Sequence, residues 1–171
     1  MRIISIIGPA ALVAAAVASA PAEAATSPSA NAGGKALLLI PLSLVKVDDL
    51  DFGSIVPSAV SGTVTINATS GNRTVSGGVT GVPGALGQRA VFAGAGTPNQ
   101  QVIMVVNAPA KLTNANGDQI DVLGLTMDGS AVRTIDTNRA FFVGIGGSLD
   151  IKANQPDGDY SATFDVTAYY Q

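Results

Sequence analysis

The stretch DYSATFDVTAYYQ, residues 159–171, decides how the chain is read. Tyr160, Ala162, Phe164, Val166, Ala168 and Tyr170 occupy every even position. Asp159, Ser161, Thr163, Asp165, Thr167 and Gln171 occupy odd ones, and only Tyr169 breaks the polar row. Successive side chains of a strand point to opposite faces, so this alternation predicts one terminal β-strand laying six apolar groups on a core. The same pattern suits an ordinary amphipathic last strand of many sandwiches, and on its own it goes no further.

Working back from that strand, the chain reads as β throughout. Val64 and Ile66 share a face within GTVTI, and threonines line the other. Arg73–Ser76, Ala90–Ala93, Gln101–Val106, Gln119–Met127, Ala140–Val143 and Ser148–Lys152 are further strand-like runs. Turn signals separate them: Asp48-Asp49, Asp128-Gly129, Asp157-Gly158 and, as a type I′ signal, Asn116-Gly117. Residues 77–87, with five glycines and a proline, read as a loop. Gly144-Ile145-Gly146-Gly147 reads as a turn or bulge, since neither helix nor lysine follows to make it a phosphate loop. No window carries a capped helical period, and no repeat is visible. Many short strands between turns predict an all-β sandwich or barrel.

The other end supplies an address and an arm. Met1-Arg2, an apolar run from Ile3 to Ala18, and Ala22-Glu23-Ala24 have the layout of a cleaved secretory leader over residues 1–24, with Ala25 first in the mature chain. The continuous apolar part, Ala10 to Ala18, is too short for a membrane anchor. The expected location is therefore outside the cytoplasm: the periplasm in transit, then the cell surface. Without Arg2 and Glu23 the mature chain carries 8 basic and 11 acidic residues, which offers no footprint for nucleic acid. ATSPSANAGG, residues 25–34, is small and polar, and it opens a flexible arm that spans 25–41. ALLLIPLSLVKV, residues 36–47, is strand-like, but Pro41 must sit at an edge or a break. A domain over 42–171 follows.

Catalytic chemistry is hard to place. With no His and no Cys, Ser-His-Asp and Cys-His sites are excluded, and so are zinc sites built from those ligands. Ser43 and Lys46 spell S-x-x-K, but strand spacing puts them on opposite faces. Asp48, Asp49 and Asp51 read as solvated turn residues rather than a carboxylate pair. Asn114, Asn116, Asp118 and Asp121 imitate the start of a calcium loop, yet no glutamate follows and a hairpin explains them. Asn67-Ala68-Thr69 matches a glycosylation acceptor. The expectation is a protein without catalytic residues, cofactor or metal.

The terminal strand resembles the C-terminal signature of chaperone–usher pilus subunits: Gly158 is fourteenth from the end, Tyr170 is penultimate, and apolar residues alternate between them. LSLVKVDDLDFGSIVP, GTVTI, SGGV and FFVGIGGSLDIKANQPDGDYSATFDVTAYY are similar, over residues 42–171, to domain of unknown function family 4402. That family of exported proteobacterial domains resembles the spore-coat-U and archaic chaperone–usher subunits in its L-D-F-G entry, Leu50–Gly53, and its Y-x-x-x-F-x-V strand, Tyr160–Val166. One departure is the missing disulfide near the first strand. The resemblance implies an incomplete immunoglobulin-like antiparallel β-sandwich, completed by donor-strand exchange. It also implies three partners: a periplasmic pilus chaperone, an outer-membrane usher, and other copies of this or a related subunit. It assigns the contact strand to Gly158, Tyr160, Ala162, Phe164, Val166, Ala168 and Tyr170. Ala32, Gly34, Ala36, Leu38 and Ile40 form the candidate donor, its glycine matching a small-residue position of pilin donors. Two alternatives stay open: residues 36–47 as one strand pairing within its own domain, and a self-contained secreted adhesin-like binding module.

Overall fold

The computed structural model describes residues 30–171. The leader and its cleavage site lie outside the described residues, as does the first part of the arm. Residues Leu37–Gln171 form one compact unit, described below. Residues 30–36, of the other unit, are exposed and carry no strand.

The described residues contain strands and no helix. In chain order they are β1 (Ser43–Asp48), β2 (Ile55–Val56), β3 (Gly62–Ile66), β4 (Arg73–Gly77), β5 (Thr80–Gly81) and β6 (Ala90–Ala95). There follow β7 (Gln101–Asn107), β8 (Lys111–Thr113), β9 (Gln119–Met127), β10 (Val132–Thr134), β11 (Ala140–Ile151) and β12 (Asp165–Tyr170). All pairings are antiparallel. A seven-stranded sheet has the order β1-β6-β11-β3-β4, with β9 on the other edge of β11 and β8 beyond it. A three-stranded sheet, β10-β7-β12, faces it, and β2-β5 forms a small ribbon. The fold is an all-β sandwich.

Strand β11 organises the larger sheet. Along one edge it pairs first with β6, from Ala140↔Ala95 to Ile145↔Ala90, and then with β3, from Gly147↔Ile66 to Ile151↔Gly62. Along the other edge it holds β9, from Ile145↔Met127 to Asp150↔Asp121. The two strands expected at Ala140–Val143 and Ser148–Lys152 are thus one continuous strand of 12 residues, and the glycine run between them is no turn. Its glycines answer close approach instead. A Cβ at Gly144 would stand 2.6 Å from the Ala68 carbonyl oxygen, and one at Gly146 would strike backbone atoms of Ile66 and Ala68. These are the chain atoms that lead out of β3 just where β11 changes partner.

The core divides at that same point. Ala90, Val102, Met104, Ile135, Phe141, Val143 and Ile145 pack between the two sheets. Val64, Ile120, Leu149 and Ile151 form the other cluster, with Val79, and these four side chains all come from the larger sheet. What lies over this second cluster is mostly irregular chain: Phe52 and Tyr160, with Ile55 of the short β2-β5 ribbon, pack against it half-buried.

Two local expectations give way to longer-range contacts. No strand precedes Pro41 among the described residues, and β1 begins at Ser43. Asn116-Gly117 does not make a two-residue type I′ hairpin. The loop between β8 and β9 runs from Asn114 to Asp118, and the buried Asn114 side chain closes it by accepting the Asn116 and Asp118 N–H groups at 3.0 and 2.8 Å.

Gly146→Ala should destabilise the fold by at least about 2 kcal/mol, because the added methyl meets backbone rather than a movable side chain. Urea unfolding of the two proteins measures it; a loss below about 0.5 kcal/mol would mean that β3 is not held against β11 in this way.

Candidate functional site

The segment from Gly158 to Gln171 crosses from one sheet to the other. Gly158 takes φ +144° beside the Asn114 side chain. The Tyr160 hydroxyl donates to the Pro156 carbonyl at 2.8 Å and accepts from Gln155 Nε2 at 3.0 Å, which fixes its ring over the second cluster. Ser161 exchanges backbone hydrogen bonds with Thr113, next to the larger sheet. Phe164 then meets Phe92 edge to face, with ring centroids 6.1 Å apart. From Asp165 the chain pairs with β7, Asp165↔Asn107 through Tyr170↔Val102. The strand expected from residue 159 therefore starts only at 165. Ser161 and Asp165 bond to different sheets, and a single regular ladder cannot serve both. Ala162, in the crossing, is exposed.

The expected apolar face is present but only half covered. Phe164, Val166, Ala168 and Tyr170 pack on the inter-sheet core and Tyr160 on the second cluster, and none of the five is fully buried. The backbone of β12 explains why. The Gln171 N–H donates to the Gln101 carbonyl at 3.0 Å, so the odd residues of the ladder turn their amides toward β7. The N–H and C=O groups of Val166, Ala168 and Tyr170 point the other way, where no strand pairs with them among the described residues.

The edge strands β1, β4, β8 and β10 are guarded. Strand β1 follows Pro41, carries Lys46 and has a register shift between Lys46 and Asp48. Strands β8 and β10 are three residues each and carry Lys111 and Arg133. Strand β4 begins with Arg73 and ends in glycine. Strand β12 has no proline, no cation and no bulge. Natural sheets use such devices against strand addition, and β12 has none.

A groove runs up to the start of this strand, where Phe164 borders it. Leu50, Phe52, Ile120, Leu149, Tyr160 and Phe164 are among the residues lining a cavity of about 830 Å³. One wall is the chain after β1, the other is the segment 155–164, and the floor is the apolar face of β9 and β11. Further along, Leu42 and Leu44 stand half-buried against the same core as Val166 and Tyr170. Arg73 holds the first wall. Its guanidinium donates to the carbonyl oxygens of Phe52, Ser54 and Ala85 from Nη1 at 3.1, 3.0 and 2.8 Å, and of Val82 from Nη2 at 3.1 Å. A guanidinium is a planar fork of donors, which a lysine ammonium cannot reproduce.

Of the candidate donor residues, Ala32, Gly34 and Ala36 are exposed and outside any strand, and Leu38 is 87% exposed. Ile40 is different. Its N–H donates to Thr97 Oγ1 at 2.8 Å, the Thr97 N–H donates to the Tyr170 hydroxyl at 2.8 Å, and that hydroxyl donates to the Ile40 carbonyl at 2.7 Å. The root of the arm is thus tied to its own terminal strand. Sequence reading missed Arg73, Thr97 and Phe92; their roles depend on partners between 9 and 73 positions away or on a ring contact, which no local pattern announces.

The candidate chemical groups stay apart. Lys46 pairs with Asp49 at 2.6 Å on the surface, away from any role with Ser43. Asp51 accepts the Gly53 N–H, and Asn67 accepts those of Thr69 and Ser70. Asn114 spends its amide on Asp118 at 3.0 Å. Asp121 faces Lys152 at 3.0 Å and Lys111 at 3.7 Å; the hydrogen bond from Lys152 is the main cause that holds its carboxyl below the usual range. Among the described residues no three His, Cys, Asp or Glu side chains gather as metal ligands, and no helix is long and apolar enough to cross a membrane.

A family model described as Domain of unknown function (DUF4402) matches residues 42–170, which takes in the groove, both its walls and β12. The chain belongs to that family. Neither a curated protein nor a solved structure matches it. In this DUF4402 domain Arg73 braces one wall of the groove and Tyr170 clasps the root of the arm.

Tyr170→Phe removes the acceptor of the Thr97 N–H and the donor to Ile40. Hydrogen exchange at the Thr97 amide should speed up by about tenfold, with a stability loss of about 1 kcal/mol; unchanged exchange would mean that the clasp is absent in solution. Arg73→Ala should cost about 2–4 kcal/mol in urea unfolding, since four carbonyls lose a charged donor, and Arg73→Lys should recover only part of it. Full recovery by lysine would show that charge alone, without the fork, holds the wall.

Proposed function

We propose that the chain is a structural subunit of a chaperone–usher-type surface fibre, polymerising by β-strand exchange. The observation that carries this reading is the unguarded edge of β12, whose start adjoins a groove with half-covered apolar walls. An added strand would bond to Val166, Ala168 and Tyr170 through its backbone and place alternate side chains in the groove. The same chain supplies a candidate strand, the exposed arm before Ile40. In the fibre that strand comes from the next copy. In transit a periplasmic chaperone occupies the edge, and an outer-membrane usher receives the complex.

The test is assembly of the purified mature chain, residues 25–171, followed by light scattering and negative-stain microscopy. Fibres that vanish when residues 25–39 are deleted are the expected result. A stable monomer that stays soluble at high concentration, with or without the arm, would overturn the proposal and point to a self-contained binding module.

A further inference from the structure

Two features stand unexplained by the groove. Tyr169 breaks the polar row of the terminal strand and is 58% exposed. In the arm, Leu37 and Leu39 break the alternation that a one-faced donor needs, and they too are exposed, at 69% and 39%.

The register of the small sheet connects them. Tyr169 lies opposite Ile103, and Ile103 lies opposite Val132. Their neighbours Tyr170, Val102 and Arg133 take the inner face, so Val132, Ile103 and Tyr169 form one cross-strand row on the outside of the sheet. Val105, 39% exposed and opposite Thr167, continues the apolar surface one row along. Ile103 and Val132 are each half-covered by their neighbours in the row, while Tyr169, at its end, has none on its far side. The row therefore stops at the open edge of β12.

A strand added at that edge must extend the row. Since side chains alternate, a donor that puts Ala36 and Leu38 into the groove turns Leu37 and Leu39 outward. Tyr169 sits in a hydrogen-bonded pair with Ile103, so toward an added strand it occupies the other kind of site, where paired side chains come closest. We propose that the arm of a second copy is gripped on both faces: by the groove through its even residues, and by Tyr169 through Leu37 or Leu39. Tyr169 is then a specificity-determining contact, selecting a donor that is apolar on both sides over one that alternates cleanly. This rests on the strand-exchange reading above, and it commits that reading to the second copy's residues 36–39.

The chain has no cysteine, which makes cross-linking clean. Two full mature chains, each with a single substitution, are mixed, assembled and oxidised with copper–phenanthroline, so that any bridge between unlike chains is intermolecular. Adjacent strands bring paired Cα atoms within the disulfide range of about 4.4–6.8 Å. Leu37→Cys or Leu39→Cys should bridge to Tyr169→Cys, Leu38→Cys should bridge to a groove-side cysteine at Ala168→Cys, and Leu38→Cys should not bridge to Tyr169→Cys. If the groove-side pair forms while neither Leu37→Cys nor Leu39→Cys reaches Tyr169→Cys, the outer grip is wrong and strand exchange survives. If no unlike pair forms at all, both fall. A second readout avoids cysteine: Tyr169→Thr should make fibres dissociate in denaturant about two- to fivefold faster, the size of a cross-strand pair. The subunit itself should lose less, since only the pair with Ile103 is weakened there; an equal loss in the subunit would assign Tyr169 to the domain alone and overturn the proposal.

Discussion

At Gly146 and Gly147 strand β11 exchanges one neighbour for another while it keeps β9 along its far edge. The rest of the molecule hangs on this. A strand of 12 residues, paired on both sides from Ile145 to Asp150, fixes the larger sheet, and the missing side chains at 144 and 146 let the chain leaving β3 come close enough to join it. Had any larger residue stood there, β3 and β6 could not follow one another along a single edge.

That arrangement gives the larger sheet more apolar face than the three-stranded sheet can cover. Strands β6 and β11 contribute to the part that is covered; β3, β9 and the end of β11 contribute to the part that is not. The chain offsets the shortage with Phe52, Ile55 and Tyr160, held by the Arg73 fork on one side and by the hydrogen bonds of Tyr160 on the other. Irregular segments seal less well than a strand, and the cavity of about 830 Å³ is the space they leave. The start of β12 borders the same region because residues 161–165 must cross between sheets before pairing can begin.

How much of this the amino-acid order disclosed follows from the range of each interaction. Alternation is local, so the inward faces of Val64 and Ile66 and of Val166 to Tyr170 were legible, as was the all-β class. Glycine is ambiguous: the same residue serves turns and close approaches, and at 144–147 only the neighbouring Ala68 backbone decides between them. Asn116-Gly117 misled for a related reason, because Asn114 was free to close a longer loop. The terminal strand read too long because its odd and even residues alternate straight through a bend that pairing, not pattern, imposes. For the candidate site, the contact strand was visible in outline. The opposite wall and its arginine were not, and the tie at Ile40 was not.

The tie among Ile40, Thr97 and Tyr170 has a mechanical side. Ile40 and Tyr170 are 130 positions apart, so one small ring of hydrogen bonds joins the entrance and the exit of the domain. Tension applied at either terminus arrives at the same knot, next to the ends of β1 and β12. Both strands run lengthwise along their partners β6 and β7. A pull between the two termini therefore falls first on this knot, and once it opens, β1 and β12 are loaded from neighbouring ends, where their ladders peel open one bond after another. The three hydrogen bonds of the clasp are thus the first resistance the domain offers to tension at its termini.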